Sequence, residues 1–172
     1  MDYNSRGRIP DFSNYPDLIV MYLGMRVRML SGLKLLAGIG PQVDKSGAAM
    51  PDGLLHYENN IIFKLYPLHV GMRWYWRDMA SLEAYSRSEP HRTWWKNYVK
   101  SAGGVGIWHE TYHIRGGMEA IFGDLDPAPG LGAFMPMMLP RGTMASRHKH
   151  FGDADLSHLP VAEPEFDDAL SR

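Results

Sequence analysis

The sequence predicts an α+β fold, a ferredoxin-like protomer with an antiparallel sheet, and three observations lead there. Branched and aromatic runs at Leu18–Val27, Leu54–Glu58, Val70–Arg77 and Val105–Ile114 have the length and composition of strands. Stretches with helical spacing, Met29–Met50 and Met79–Ser101, separate them in the order strand, helix, strand, strand, helix, strand. With 172 residues, 45% hydrophobic and 12% aromatic, one domain has enough apolar surface to bury a core.

Each element has its own warrant. Leu18–Val27 follows Pro16-Asp17 and suits a buried strand better than a helix by its length. Leu30, Leu33, Leu36 and Ile39 recur at helical spacing, and Gly40-Pro41 is expected to split that helix in two. Pro51-Asp52-Gly53 reads as a turn before Leu54–Glu58, and Asn59-Asn60 as another turn. Ile61–His69, apolar with Pro67 inside it, fits no element cleanly. Asp78 is placed to cap the helix Met79–Arg87, and Pro90 stands at the first turn of a further helix through Ser101. Gly103-Gly104 ends that helix before Val105–Ile114, and Gly116-Gly117 is expected to turn into a short strand, Met118–Phe122. Residues 1–16 read as an N-terminal extension, 17–132 as the domain, and 133–172 as an arm with a polar, acidic tail.

Several function classes are excluded at this level. The formal net charge is −1 and Lys and Arg form no long run, which argues against nucleic acid or an anionic membrane as a partner. The absence of cysteine removes disulfides, thiolate metal sites and a cysteine nucleophile, and a cytoplasmic location is expected. The N-terminal residues are too polar for a signal peptide, and the longest apolar run is shorter than a membrane span. Gly103-Gly-Val-Gly106 precedes a strand, whereas a nucleotide loop must follow one, so no dinucleotide or phosphate loop is expected.

The richest chemistry lies in Gly106-Ile-Trp-His-Glu-Thr-Tyr-His113. As a strand it puts Ile107, His109, Thr111 and His113 on one face, and Trp108, Glu110 and Tyr112 on the other. His109 is a candidate general base, or an axial ligand if haem is bound; a hydrogen-bonded core histidine is the plainer account. A metal site from His109 and His113 is not expected, because i,i+4 spacing in a strand separates them by roughly 13 Å. Glu110 is a candidate acid, most simply paired with Arg26, Arg73 or Arg77. Trp74 and Trp76 either wall a pocket or pack the core, and Arg26, set in an apolar strand, needs an acidic partner or an anionic ligand.

Tyr22-Leu-Gly-Met-Arg-Val27, Trp74-Tyr-Trp-Arg-Asp-Met-Ala-Ser-Leu-Glu-Ala-Tyr85, Gly106-Ile-Trp-His-Glu-Thr-Tyr112 and Met118-Glu-Ala-Ile-Phe-Gly123 resemble one family. It is the monooxygenase-like family named after an enzyme of fumagillin biosynthesis, of the antibiotic-biosynthesis-monooxygenase type. The resemblance covers roughly residues 18–132 and implies a dimeric α+β barrel, in which a homodimer closes around a small hydrophobic substrate. It further implies cofactor-independent oxygenation of a polyketide or terpenoid intermediate of secondary metabolism. His109, Glu110 and Arg26 would then be catalytic, and Tyr22, Trp74, Trp76, Arg73, Trp108 and Tyr112 would hold the substrate. Haem is the alternative cofactor, since chlorite dismutases, dye-decolorising peroxidases and aldoxime dehydratases of the wider superfamily bind haem through a histidine. A cyclase, an isomerase or a non-catalytic dimeric binding protein are further alternatives. The stretch Asn59–His69 is longer than the family pattern, and the arm after Gly132 is this chain's own.

Overall fold

The computed structural model describes residues 9–100, 103–115, 118, 120, 122 and 128–138. In chain order the elements are β1 (Ile9–Pro10), β2 (Ile19–Val27), α1 (Ser31–Ala48), β3 (Leu54–Lys64), β4 (His69–Trp76), α2 (Met79–Arg87), α3 (His91–Lys100), β5 (Val105–His113), a 3-10 turn (Gly130–Ala133) and β6 (Met137–Met138). They fall into two units. Asp17–Ile114 is one, and the described residues on either side of it make the other.

The larger unit holds one antiparallel sheet in the order β3-β4-β2-β5. β2, α1, β3 and then β4, α2, α3, β5 form two crossovers whose strands interleave, which is the expected ferredoxin-like arrangement. Its core gathers Ile19, Met21, Leu54, Met72, Trp74 and Trp76 from one sheet face with Leu82 and Tyr85 of α2 and the partly buried Val43 of α1. The six largest fully buried side chains include Trp74, Trp76 and Ile19, so burial on this face is the main apolar driving force.

A helix break and a turn expected from sequence are absent. Pro41 stands inside α1 without ending it. A proline costs one helical hydrogen bond, but α1 is held on both sides of that position. A Cβ on Gly32 would meet the Gly104 carbonyl at 2.6 Å, and one on Gly47 the Tyr57 ring at 2.7 Å. The Gln42 amide also donates to the Gly38 carbonyl at 2.9 Å. Asn59-Asn60 is not a turn either, because β3 runs through it as far as Lys64. The register with β4 slips between Glu58 and Ile61, and Asn60 takes φ +61, so the pair makes a bulge in a longer strand. Ile61–His69 therefore becomes the end of β3, a turn and the start of β4. The short strand expected at Met118–Phe122 lies largely outside the described residues.

In the smaller unit β1 pairs antiparallel with β6. Ile9, Leu131 and Met135 are buried, and the Tyr15 and Phe134 rings meet edge-on at 5.7 Å.

Candidate functional site

Register decides which side chains share a face. Tyr22 of β2 stands opposite Arg73 of β4 and Glu110 of β5, and Glu58 of β3 stands opposite Arg73. These residues occupy the sheet face turned away from the helix-side core. Along the same face run Val20, Gly24 and Arg26 of β2, opposite Tyr75, Gly71 and His69 of β4, and opposite Tyr112, Trp108 and Gly106 of β5.

Arg73 is the centre of this face. Its Nε donates to Glu58, its Nη1 donates to the Tyr22 hydroxyl at 3.1 Å, and its guanidinium lies 5.7 Å from the Tyr22 ring centroid and 5.5 Å from that of Tyr75. Burial opposes its charge, but the hydrogen bonds to Glu58 and Tyr22 more than offset that and lift its pKa. Burial pushes the Tyr75 phenol up. His56 lies 5.9 Å from Tyr75, ring to ring. Burial lowers its pKa, Glu58 works against that, and Arg73 adds to it, so neutral imidazole is favoured there. At the outer strand the Tyr22 and Tyr112 rings meet edge-on at 6.1 Å, and Tyr112 donates to Glu110, which raises the Tyr112 pKa.

Beside this polar cluster lies an aromatic one. Trp108 packs over Gly24, donates from Nε1 to His69 Nε2 at 2.7 Å, and meets the Phe63 ring at 5.5 Å. Indole only donates, so His69 Nε2 is the acceptor in this hydrogen bond.

Of the site residues expected from sequence, Tyr22, Arg26, Arg73, Trp108, Glu110 and Tyr112 share a face. Three others do not join them. Trp74 and Trp76 are fully buried in the helix-side core, where alternation along β4 sends them. His109 stands opposite Leu23 on that same side of the sheet and is exposed. Arg26 is exposed and makes no ion pair among the described residues.

The family described as Monooxygenase af470-like matches residues 18–131. The chain belongs to that family. Among curated proteins, this af470-like chain is similar to the aliphatic aldoxime dehydratase of Rhodococcus globerulus, 30% identical over 102 residues, covering 52% of the chain and 26% of the dehydratase. Two solved structures are similar in fold. One is an aldoxime dehydratase, at 22% identity and TM-score 0.63, covering 85% of this chain and 43% of that one. The other is the aldoxime dehydratase OxdRE in complex with butyraldoxime, at 23% identity and TM-score 0.64, covering 86% and 43%. The af470-like chain therefore spans about a quarter of the curated relative and less than half of either solved chain.

A haem would need an axial imidazole between two broad apolar walls. The imidazole that the sequence offers for this, His109, is exposed, as are Thr111 and His113 beside it on that face. No group of three or more metal-ligating side chains occurs among the described residues.

Sequence reasoning misses His56, Glu58 and His69. The first two sit at i and i+2 on one strand, which is a legible signal, but nothing local reveals that β4 brings Arg73 against them. His69 falls in the segment that fits no element from sequence, so its face is not assignable there.

Proposed function

We propose that this protein is a cofactor-independent monooxygenase-like enzyme that acts on a small hydrophobic molecule, a polyketide or terpenoid intermediate of secondary metabolism. In this reading two copies pair through the helix-free sheet faces, and the site lies between them. The observation that carries it is the Arg73 cluster: a guanidinium fixed by Glu58 and Tyr22 on the face a barrel would enclose. A guanidinium has five N–H donors, so this one keeps donors for an oxygen that gains negative charge. A preorganised cation in a dry site supplies that stabilisation without reorganising.

His56, held toward its neutral form, takes the proton of an acidic C–H, while Tyr112, Trp108 and Tyr22 hold the ring system. Glu110 orients Tyr112, and Arg26 adds a second cation to the face. His109 projects from the other side of β5, so within one chain the base role passes to His56. Dioxygen is the co-reactant. For an activated methylene, CH₂ and O₂ give C=O and H₂O; the substrate loses the four electrons that O₂ gains, and no other reductant is consumed.

The haem-dependent reading has one support, the 30% identity to an aldoxime dehydratase, a class that the sequence resemblance counts among haem binders. An ultraviolet–visible spectrum of protein expressed with haem precursor separates the two. A Soret band that shifts in His109→Ala would sink the cofactor-free reading. For a colourless protein, oxygen uptake with activated-methylene substrates is expected, falling about a hundredfold or more in Arg73→Met. Full activity in that variant would remove Arg73 from the mechanism.

A further inference from the structure

We propose that one end of the larger unit, built from α3 and the start of α1, docks on an anionic lipid surface. Two long segments of the chain contain no acidic residue. Leu18–Val43 carries Arg26, Arg28 and Lys34, and His91–His109 carries Arg92, Lys96 and Lys100. All six cations are exposed. The fold joins the two segments: the Gly104 carbonyl, just beyond α3, accepts from the Arg28 and Met29 amides at 2.8 and 3.1 Å. A Cβ on Gly104 would lie 3.1 Å from that of Met29.

The apolar side chains at this end are as unusual as its charge. α3 has no buried residue. Trp95 is 55% exposed and Val99 67%, while Met29 is 66% and Leu30 84% exposed. On the helix Trp95 and Val99 form an i,i+4 stripe, and Arg92, Lys96 and Lys100 form the next stripe around it. Of these cations only Arg92 has an ion-pair partner among the described residues, the exposed Glu89.

A patch of Trp and aliphatic side chains beside lysines, with Glu89 at its edge taken up by Arg92, has the chemistry that lies at a headgroup boundary: apolar groups enter the acyl edge and cations meet the phosphates. A protein partner would have to be both acidic and apolar over the same area, whereas an anionic bilayer offers both at every point. The full sequence has almost no net charge, and Lys and Arg form no long run in it. The positive surface exists only because folding brings two separate segments together. No helix among the described residues is long and apolar enough to cross a membrane, so the contact is peripheral. It does not depend on the catalytic reading, because Met29, Leu30, Lys34 and the residues of α3 lie outside that face; Arg26 and Arg28, whose side chain passes over Gly106, lie toward it and are not counted in the docking surface.

Sedimentation with vesicles tests this in the full chain. Binding is expected to vesicles that contain phosphatidylserine, to weaken as salt is added, and to be absent with pure phosphatidylcholine. Lys96→Glu/Lys100→Glu should reduce it by fivefold or more per lysine, since each cation near such a surface contributes about a factor of five. Trp95→Ser/Val99→Ser should also release the protein, and circular dichroism should show both variants folded, since all four side chains are exposed. Three results would overturn the proposal: no sedimentation of the wild type at low salt, equal binding to neutral vesicles, or unchanged binding in the lysine variant. A change in solution mass caused by Trp95→Ser/Val99→Ser without lipid would assign the patch to self-association instead.

Discussion

Gly24 and Gly71 stand opposite each other in the β2–β4 ladder, and Trp108 and Phe63 occupy the space that side chains there would take. A Cβ on Gly24 would fall 2.3 Å from Trp108 Nε1, and one on Gly71 would fall 2.2 Å from the Leu23 carbonyl oxygen and 2.5 Å from the Phe63 ring. The two glycines leave space on the sheet, and the Trp108 and Phe63 rings, tilted 57° to each other, fill it.

Gly24→Ala is therefore expected to push the indole away and break its hydrogen bond to His69. Overpacking of this kind costs about 1–3 kcal/mol. Gly71→Ala should cost more, because the Leu23 backbone cannot swing aside as a ring can. Thermal denaturation of both variants measures this, with tryptophan fluorescence reporting the displaced ring in Gly24→Ala. Wild-type melting in both would mean that the rings do not pack on the glycines.

How much of this was legible beforehand depends on the range of the interaction. The strand Leu18–Val27, the helix Met79–Arg87 and the Asp78 cap are local patterns, and the sequence states them within a residue or so. Alternation also gives the faces of β4 and β5 correctly. It cannot say which face receives the helices, because Trp74 and Trp76 serve equally well as pocket wall and as core. The bulge at Asn59-Asn60 was hidden because asparagines that tolerate positive φ occur in turns and bulges alike. What decides between them is the pairing of Ile61 and Ile62 with Gly71 and Val70, a contact between distant positions.

The local signal at Asp78 makes a sharp test. Its carboxylate accepts from the Ser81 amide at 2.7 Å and the Ser81 hydroxyl at 2.8 Å, and pairs with Arg77. These bonds, the Ser81 amide first, bring its pKa to about 2 from 3.8. The folded state thus binds the proton less readily than the unfolded one. The stabilisation is present above pH 3.8 and is lost as pH falls toward about 2. Asp78→Ala should cost about 1 kcal/mol near neutral pH through the lost cap, and Asp78→Asn much less, since asparagine caps equally well. Denaturant titration of the three proteins checks this; equal losses in both variants would show that the charge, not the cap, matters.

His56 carries the opposite kind of group but the same sign of pH dependence. Its pKa is depressed in the folded state, chiefly by burial. Below 6.5 the unfolded chain takes up a proton that the folded protein resists, so stability falls as pH drops through that value and levels off once the folded imidazole also protonates. His56→Gln should flatten this part of the stability profile. If the wild type and His56→Gln melt in parallel across that range, His56 is not held neutral, and its place as base fails with it.

The last prediction compares two neighbours in one core. Trp74 and Trp76 are both fully buried, with rings 6.0 Å apart. Trp74 Nε1 donates to Asn59 Oδ1 at 2.8 Å, and Asn59 in turn donates to Asp44 at 2.8 Å, which ties the β3 bulge to α1. Trp76 Nε1 has no partner among the described residues. An unmade buried hydrogen bond costs about 1–3 kcal/mol. Trp→Phe removes similar apolar volume at either position, so the packing losses should be alike and the hydrogen bonds should set the difference. Trp76→Phe deletes a donor that is already unsatisfied and regains part of the packing loss. Trp74→Phe strands the Asn59 oxygen and loosens the link from bulge to helix. Trp74→Phe should accordingly be the more destabilising by about 1–2 kcal/mol in denaturant unfolding. The reverse order would mean that Trp76 Nε1 is satisfied in solution, by water or by a group that reaches it there.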